Sequence, residues 1–123
     1  QFFFDPDVYL KFRERAAASG ITVPIVPGIL PVTNFAQVMS FSKLCGMSVP
    51  VWMADRFEGL DEDPETRQLV AASVAIELSR FLVSEGVEDI HFYTLNRADL
   101  SYAICHVLGL RPNQHKNEKK TDK

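Results

Sequence analysis

The chain has 123 residues, of which 46% are hydrophobic and 24% are charged, and its formal net charge is −3. This composition is typical of a folded globular domain, and it excludes a disordered chain, a collagen-like repeat and a coiled coil. No apolar run approaches the ~20 residues that a membrane-spanning helix needs. Four lysines against Glu118 and Asp122 give the last ten residues a charge of +2, which leaves −5 for the rest. Because the body is acidic, we expect no binding to nucleic acid or membranes.

The start of the chain and its cysteines bear on the cellular setting. Gln1 leads directly into three phenylalanines without a basic region or a cleavage site, so no signal peptide is predicted, and the missing initiator Met suggests further sequence upstream. Cys45 and Cys105 are too few for a disulfide framework, which favours a reducing, cytoplasmic setting. We expect one domain over residues 1–112 and a polar, disordered tail over 113–123.

Two apolar runs with a helix between them open the chain. Residues 1–4 predict a short strand, and residues 8–18 predict a helix that ends before Gly20. Residues 21–26 are rich in β-branched side chains and are followed by Pro-Gly, so they predict a second strand.

The middle of the chain predicts a helix over residues 35–44, because Thr33 or Asn34 can cap its free N–H groups. Residues 49–54 are apolar but contain a proline, and they predict a short helix or a turn. Residues 55–63 are expected to form an acidic loop.

A long helix, a third strand and a last helix complete the pattern. Pro64 suits a first helical turn, and the helix is predicted over residues 64–84. Residues 90–95 predict the strand, and residues 98–108 predict the helix after it. The apolar stripe expected on the long helix comprises Leu69, Ala72, Ile76, Ser79 and Val83, and it is widened by Ala75, Leu78 and Leu82.

Strands that alternate with helices predict an α/β fold with parallel strands. We expect Phe3, Ile25, His91 and Tyr93 to share the inward face of the sheet. Three strands are few for a parallel sheet, and a (β/α)8 barrel needs at least ~200 residues. The pattern therefore indicates part of a larger α/β domain.

The common catalytic motifs are absent from the sequence. It contains no glycine-rich dinucleotide or phosphate loop and no serine in a nucleophile turn. His91, His106 and His115 lack metal-ligand spacing, and the adjacent Cys105 and His106 diverge on a helix. Neither a metal site nor a nucleophilic cysteine is therefore predicted.

The candidate site residues are polar or aromatic side chains where parallel strands end, since α/β proteins bind ligands there. Gln1 stands just before the three phenylalanines of the first strand, and Gln37 and Phe41 share one face of the helix after the second. Tyr93 and Arg97 follow the third strand, on one side if the chain stays extended.

Each candidate also has an ordinary structural interpretation. Gln37 can be a solvated helix residue, and Phe41 and Tyr93 can be core aromatics. Arg97 can simply pair with Asp99 or cap a neighbouring loop. Taken singly, none of these residues identifies an enzyme.

Three segments together are specific: Gln-Phe-Phe-Phe-Asp at 1–5, Pro-Gly-Ile-Leu-Pro at 27–31 and His-Phe-Tyr-Thr-Leu-Asn-Arg at 91–97. In type, order and spacing they resemble the C-terminal part of the 5,10-methylenetetrahydrofolate reductase family, bacterial type, over nearly all of residues 1–112. The resemblance implies the C-terminal portion of a (β/α)8 TIM barrel, with about three parallel strands and their helices.

The resemblance also implies a function. The family reduces 5,10-methylenetetrahydrofolate to 5-methyltetrahydrofolate for methionine synthesis, with NADH or NADPH as co-substrate and FAD as cofactor. By this resemblance Gln1, Gln37, Tyr93 and Arg97 contact the folate, and Phe41 stacks on the folate or the nicotinamide. The acid that protonates the substrate and most FAD contacts are expected upstream, and the full-length protein is expected to be a homo-oligomer.

Two other functions remain open. The chain can be a non-catalytic, truncated α/β module, or it can belong to another flavin-binding barrel such as a proline dehydrogenase-like enzyme. The segment at residues 91–97 favours the reductase over the second. A start codon near Gln1 would favour the non-catalytic module, whereas a continuous upstream frame would favour the reductase.

Overall fold

The computed structural model describes residues 1–111, and the predicted tail over 113–123 lies outside them. Within the described part, no helix is long and apolar enough to cross a membrane. The elements are α1 (Pro6–Ala18), β1 (Gly28–Ile29), α2 (Phe35–Leu44), α3 (Val51–Phe57), α4 (Pro64–Ser84), β2 (His91–Phe92) and α5 (Ala98–Val107). The α/β prediction is confirmed at this level.

The strands are parallel and neighbour one another in chain order. β1 pairs with β2 in the register Gly28–His91 and Ile29–Phe92, and Phe2 forms a single parallel bridge to Gly28. The sheet therefore consists of a central β1 with one neighbour on each side, and the helices between these segments provide the crossovers that parallel strands need.

The predicted strand over residues 21–26 is wrong. Ile21, Val23 and Val26 are exposed and irregular, and the buried run begins only at Pro27. The hydrogen bonds explain the shift, because the N–H of His91 donates to the carbonyl of Pro27 over 2.9 Å. A β-branched run without a neighbouring strand has no ladder to join.

The other two strands are shorter than predicted. Residues 1–4 contribute only the bridge at Phe2, and residues 90–95 contribute only β2. β2 ends early because Leu95 and Asn96 adopt left-handed φ angles of 47° and 63°, which turn the chain away from the sheet.

Helix ends follow local capping closely. Asn34 accepts the N–H of Gln37 over 3.0 Å, and α2 has the predicted bounds. Asp5 accepts the N–H of Asp7, so α1 begins at Pro6, two residues before the predicted start. Because α3 continues to Phe57, the predicted acidic loop begins three residues later than expected.

The bounds of α4 are confirmed, and the predicted stripe is buried at Ala75, Ser79 and Leu82 but is wrong at its ends. Leu69 and Val83, at the ends of that stripe, are 73% and 57% exposed. Apolar residues surround much of this helix, so its periodicity does not single out one face. Packing against the sheet and α5 selects the buried residues Ala71, Val74, Ala75, Ser79 and Leu82.

Two apolar clusters, which we call the Phe2 cluster and the Phe3 cluster, form the core. The Phe2 cluster comprises Phe2, Phe4, Leu30, Val32, Val38, Met53, Phe57, Ala71 and Val74. The Phe3 cluster comprises Phe3, Tyr9, Ile29, Ala75, Leu82, Val87 and Ile104. Successive strand residues enter different clusters, as the two-residue period of a strand requires.

Tyr93 packs against the Phe2 cluster and contacts the ring of His91, whereas Phe3 and Ile25 lie in or against the Phe3 cluster, so the single inward face predicted for these four residues is wrong and divides into two pairs. The register aligns Phe2, Gly28 and His91, and Phe3 therefore points to the opposite side of the sheet. The strand register, which is a property of the tertiary structure, determines which side of the sheet each side chain occupies.

The N-terminus of α4 predicts a pH effect. The Thr66 hydroxyl, followed by the Thr66 N–H, hydrogen-bonds the Asp63 carboxylate and holds the pKa of Asp63 below its ordinary value of 3.8. Because the folded-state pKa is lowered, this stabilisation is complete above the ordinary value and is lost as the pH falls through the lowered pKa. Asp63→Asn keeps a good cap, so unfolding at neutral pH should be unchanged while the loss of stability in acid becomes smaller.

The measurement is urea unfolding across an acid pH series. Asp61→Asn, in the preceding loop, serves as the matched control. If the free energy of unfolding of Asp63→Asn falls in acid as much as that of the unchanged chain, the proposed stabilisation of α4 by the Asp63 carboxylate is contradicted.

Candidate functional site

The ring of Phe2 contacts two of the candidate residues. Its ring stacks on Phe41 with centroids 5.8 Å apart and planes 17° apart, and it meets the edge of Tyr93 at 5.7 Å. Phe2 is buried, whereas Phe41 is 49% exposed, so one face of Phe41 remains accessible. Phe41 is therefore a surface aromatic held by a core aromatic.

Gly28 allows Gln1 and Tyr93 to approach each other closely. A Cβ atom at this position would lie 2.6 Å from the Gln1 carbonyl oxygen and 2.7 Å from Cε2 of Tyr93. Only a residue without a side chain fits between them. The ring of His91 also contacts Tyr93, with centroids 4.9 Å apart, which restricts the tyrosine further.

Gln1 and Gln37 present carboxamides at two borders of this aromatic group. Oε1 of Gln1 accepts the N–H of Phe2 over 3.2 Å, and the Gln1 side chain is exposed. Gln37 is also exposed and lies one helical turn before Phe41, while Val38 and Ser42 form the buried side of α2. The face shared by Gln37 and Phe41 therefore points away from the core.

Arg97 reaches the site through a turn and not through an extended strand. The N–H of Arg97 donates to the carbonyl of Thr94 over 2.8 Å, and Arg97 immediately precedes α5. The chain does not stay extended after Tyr93, so the two-residue alternation predicted for an extended chain does not apply, but Tyr93 and Arg97 line one small recess with Thr33. Among residues 1–111 the only salt bridge joins two other side chains, so Arg97 does not pair with Asp99.

Ser101 belongs to the same recess and was missed by the sequence analysis. It is buried, and its hydroxyl has no hydrogen-bond partner in the part of the chain that the structure describes. It follows Arg97 by one helical turn, and this i+4 spacing is the signal that could have indicated it. The recess has a volume of about 10 Å³, so it holds no ligand group itself, but the Arg97 guanidinium and the N-terminal end of α5 at its border favour an anionic group outside it.

The described residues fit a flat ring better than a dinucleotide phosphate. Phe41 offers an aromatic face, but the five glycines with positive φ each follow the last residues of a helix, where carbonyl groups accumulate. None of these five glycines stands at the start of a helix, so they do not form the glycine-rich loop that binds a dinucleotide phosphate. In residues 1–111, no three His, Cys, Asp or Glu side chains form a group that could hold a metal ion.

Comparisons with known proteins address the family. The model of the methylenetetrahydrofolate reductase family matches residues 1–109. The chain is 59% identical over 113 residues to the 5,10-methylenetetrahydrofolate reductase of Pectobacterium carotovorum, and 56% identical over 112 residues to that of Escherichia coli. A rice protein named probable methylenetetrahydrofolate reductase (NADH) is 30% identical over 110 residues.

These alignments cover 92%, 91% and 89% of this chain, respectively. The chain spans only 38% of the length of each of the two bacterial relatives. The family match includes all three segments on which the resemblance rests, and it takes in every candidate site residue. The chain belongs to the methylenetetrahydrofolate reductase family.

Proposed function

We propose that this chain supplies part of the folate site of an enzyme that reduces 5,10-methylenetetrahydrofolate to 5-methyltetrahydrofolate with NADH or NADPH. The observation that carries the proposal is the half-exposed Phe41 held on Phe2 beside Tyr93, next to Gln1. An accessible aromatic face bordered by carboxamides has the chemistry that a flat, polar-edged pterin requires.

Each side chain has a distinct part in this proposal. Phe41 covers one face of the ring system and excludes water from it. The carboxamides of Gln1 and Gln37 offer both donors and acceptors to the pterin edge. The hydroxyl of Tyr93, anchored between Phe2 and His91, provides a fixed polar contact.

Arg97 binds the anionic end of the folate in this proposal. Its guanidinium forms two parallel hydrogen bonds with a carboxylate more readily than a lysine would. Thr33 lines the same recess and supplies a hydroxyl group beside it, whereas the Ser101 hydroxyl is buried beneath the recess and contacts no ligand. The substrate would then extend from the aromatic group to the start of α5.

FAD, when bound, supplies the hydride chemistry between the pyridine nucleotide and the folate. The described residues contain no cradle for its diphosphate, so we assign them no FAD contact. The proposed role of this chain is to bind and orient the folate, and the acid residue is expected in the part of the family that it does not span. A homo-oligomeric full-length protein remains part of the proposal.

The test replaces the matched segment of the E. coli relative by this chain. We expect a yellow chimera that oxidises NADH in a folate-dependent reaction. A second chimera with Phe41→Ala, Tyr93→Phe and Arg97→Ala should retain flavin and lose most of this activity. If the first chimera binds flavin but is inactive with 5,10-methylenetetrahydrofolate, the proposed reductase function is rejected in favour of a non-catalytic module.

Single substitutions in the chimera test the division between substrate and cofactor contacts. Arg97→Ala and Gln1→Ala should weaken folate binding and leave the flavin-to-protein absorbance ratio unchanged. Loss of a hydrogen bond to a charged group costs ~1.5–3 kcal/mol, so Arg97→Ala should reduce the affinity about tenfold or more. Arg80→Ala, on the exposed side of α4, is the matched control and should change neither quantity. Flavin-free Arg97→Ala or Gln1→Ala protein would show that the division is wrong.

A further inference from the structure

The turn that joins β2 to α5 has an unfavourable backbone conformation. Leu95 and Asn96, which we call the left-handed pair, have φ angles of 47° and 63°, and in residues 1–111 they are the only residues other than glycine with positive φ. A Cβ atom makes this conformation costly, and among residues that carry one, asparagine tolerates it better than leucine does. Two such residues in succession therefore require a physical explanation.

Neither burial nor helix capping explains the left-handed pair. The Leu95 side chain is 69% exposed and Asn96 is exposed as well, so neither gains enough apolar contact to offset the strain. Arg97 is the N-cap residue of α5, and within the described part of the chain its side chain makes no capping hydrogen bond. The strain is therefore not offset by the side chains of the turn itself.

The left-handed pair determines how its two flanking site residues lie relative to each other. The N–H of Tyr93 donates to the carbonyl of Ile29 over 2.9 Å, which fixes Tyr93 to the sheet. If the strand continued, Arg97 would lie about 13 Å further along it. Instead the N–H of Arg97 donates to the carbonyl of Thr94 over 2.8 Å, and Arg97 lines the same small recess as Tyr93. The turn thus brings two candidate site residues together.

We propose that Leu95 and Asn96 are positioning residues, whose left-handed backbone holds Arg97 beside Tyr93 before the folate binds. The inference rests on the proposed function, in which Arg97 binds the anionic end of the folate. An arginine has many rotamers, and a backbone that is already fixed lowers the entropy that binding must remove. The strain of the turn is maintained by the fold of the free protein, and it serves to preorganise the site.

A comparison of glycine with alanine tests the conformation of the turn itself. At negative φ, alanine is the more stabilising residue because it has fewer conformations in the unfolded chain, whereas at positive φ its Cβ atom reverses the order. In the 123-residue chain, Asn96→Gly should therefore unfold at a higher urea concentration than Asn96→Ala. Asp99→Gly and Asp99→Ala are the matched control pair, because Asp99 is exposed in the first turn of α5 and alanine should be the more stable there.

Folate affinity of the chimera tests the positioning role. Asn96→Gly permits the left-handed conformation and should bind folate within about twofold of the unchanged chimera. Asn96→Val has a β-branched side chain that disfavours positive φ, and it should reduce the affinity about tenfold or more, as Arg97→Ala does. Because Asn96 acts through Arg97, the double variant Asn96→Val/Arg97→Ala should bind folate no more weakly than Arg97→Ala alone. The flavin-to-protein absorbance ratio should stay unchanged in all of them.

Asn96→Ala keeps the test decisive if the valine variant does not fold, because its folate affinity should lie between those of the unchanged chimera and Arg97→Ala. The inference is overturned if Asn96→Ala is more stable than Asn96→Gly, or if Asn96→Val and Asn96→Ala bind folate as tightly as Asn96→Gly. Additive losses in the double variant also overturn it, because a turn with a merely structural role acts independently of Arg97. An unchanged chimera that binds flavin but no folate would instead reject the proposed function, whereas failure confined to the variants rejects this inference alone.

Discussion

Phe57→Ala should destabilise the chain by about 3–5 kcal/mol, whereas Phe41→Ala should destabilise it much less and should instead weaken folate binding. The two phenylalanines are a matched pair, because each stacks on one other ring. Phe57 lies 5.7 Å from Phe35 and Phe41 lies 5.8 Å from Phe2, both nearly parallel.

Burial separates these two residues. Phe57 is 4% exposed within the Phe2 cluster, so its removal leaves a cavity that the neighbouring side chains cannot fill completely. Phe41 is 49% exposed, so its truncation removes a smaller apolar contact and leaves space that water can enter. Its accessible face is the part that we assign to the folate.

Urea unfolding of the chain and folate titration of the chimera measure the two effects. Equal destabilisation by both substitutions would make Phe41 a core residue. Unchanged folate affinity after Phe41→Ala would remove it from the proposed site. If Phe41→Ala leaves the folate affinity unchanged but greatly lowers the melting temperature, the ligand role of Phe41 is rejected most directly.

Gly28→Ala is expected to damage both the fold and the site. Its methyl group would lie 2.6 Å from the Gln1 carbonyl oxygen, and backbone atoms cannot move aside as a flexible side chain can. Overpacking of this kind costs about 1–3 kcal/mol, and the cost is higher when the strand pairing must shift. Displacement of Gln1 and Tyr93 should also weaken folate binding in the chimera.

Gly20→Ala is the matched control, since it separates backbone strain from steric overlap. Gly20 has a φ of +82°, and no atom lies within 4 Å of the position that an alanine methyl group would take, so alanine there would be strained but would not collide. It should therefore cost stability, about 1–2 kcal/mol, without an effect on folate affinity. A Gly28→Ala variant with unchanged stability and affinity would contradict the close approach of Gln1 and Tyr93.

Helix positions were predictable from the sequence because their signals are local. Asn34 and Asp63 cap helices through residues three positions ahead, and α2 and α4 accordingly have the predicted bounds. The family was also identified from contiguous motifs, and the comparison confirms it. These signals depend only on neighbours along the chain.

Strand bounds and buried faces were not predictable in the same way. Residues 21–26 have strand composition but form no strand, and all of them except Ile25 are exposed. The strand partner of β1 is β2, which lies more than sixty residues further along the chain. The buried side of α4 depends in the same way on the sheet and on α5. Composition cannot specify which distant segment supplies the hydrogen bonds or the apolar contacts.

The sequence by itself determined the family, the parallel α/β class, the bounds of the two capped helices and the identity of the candidate side chains. Only the tertiary structure decided that Phe2, and not Phe3, shares a side of the sheet with Tyr93, and that Phe41 is half exposed. It also decided that Ser101 lies in one recess with Arg97. The physical reason is the strand register, because a shift of one residue moves every side chain of a strand to the other face.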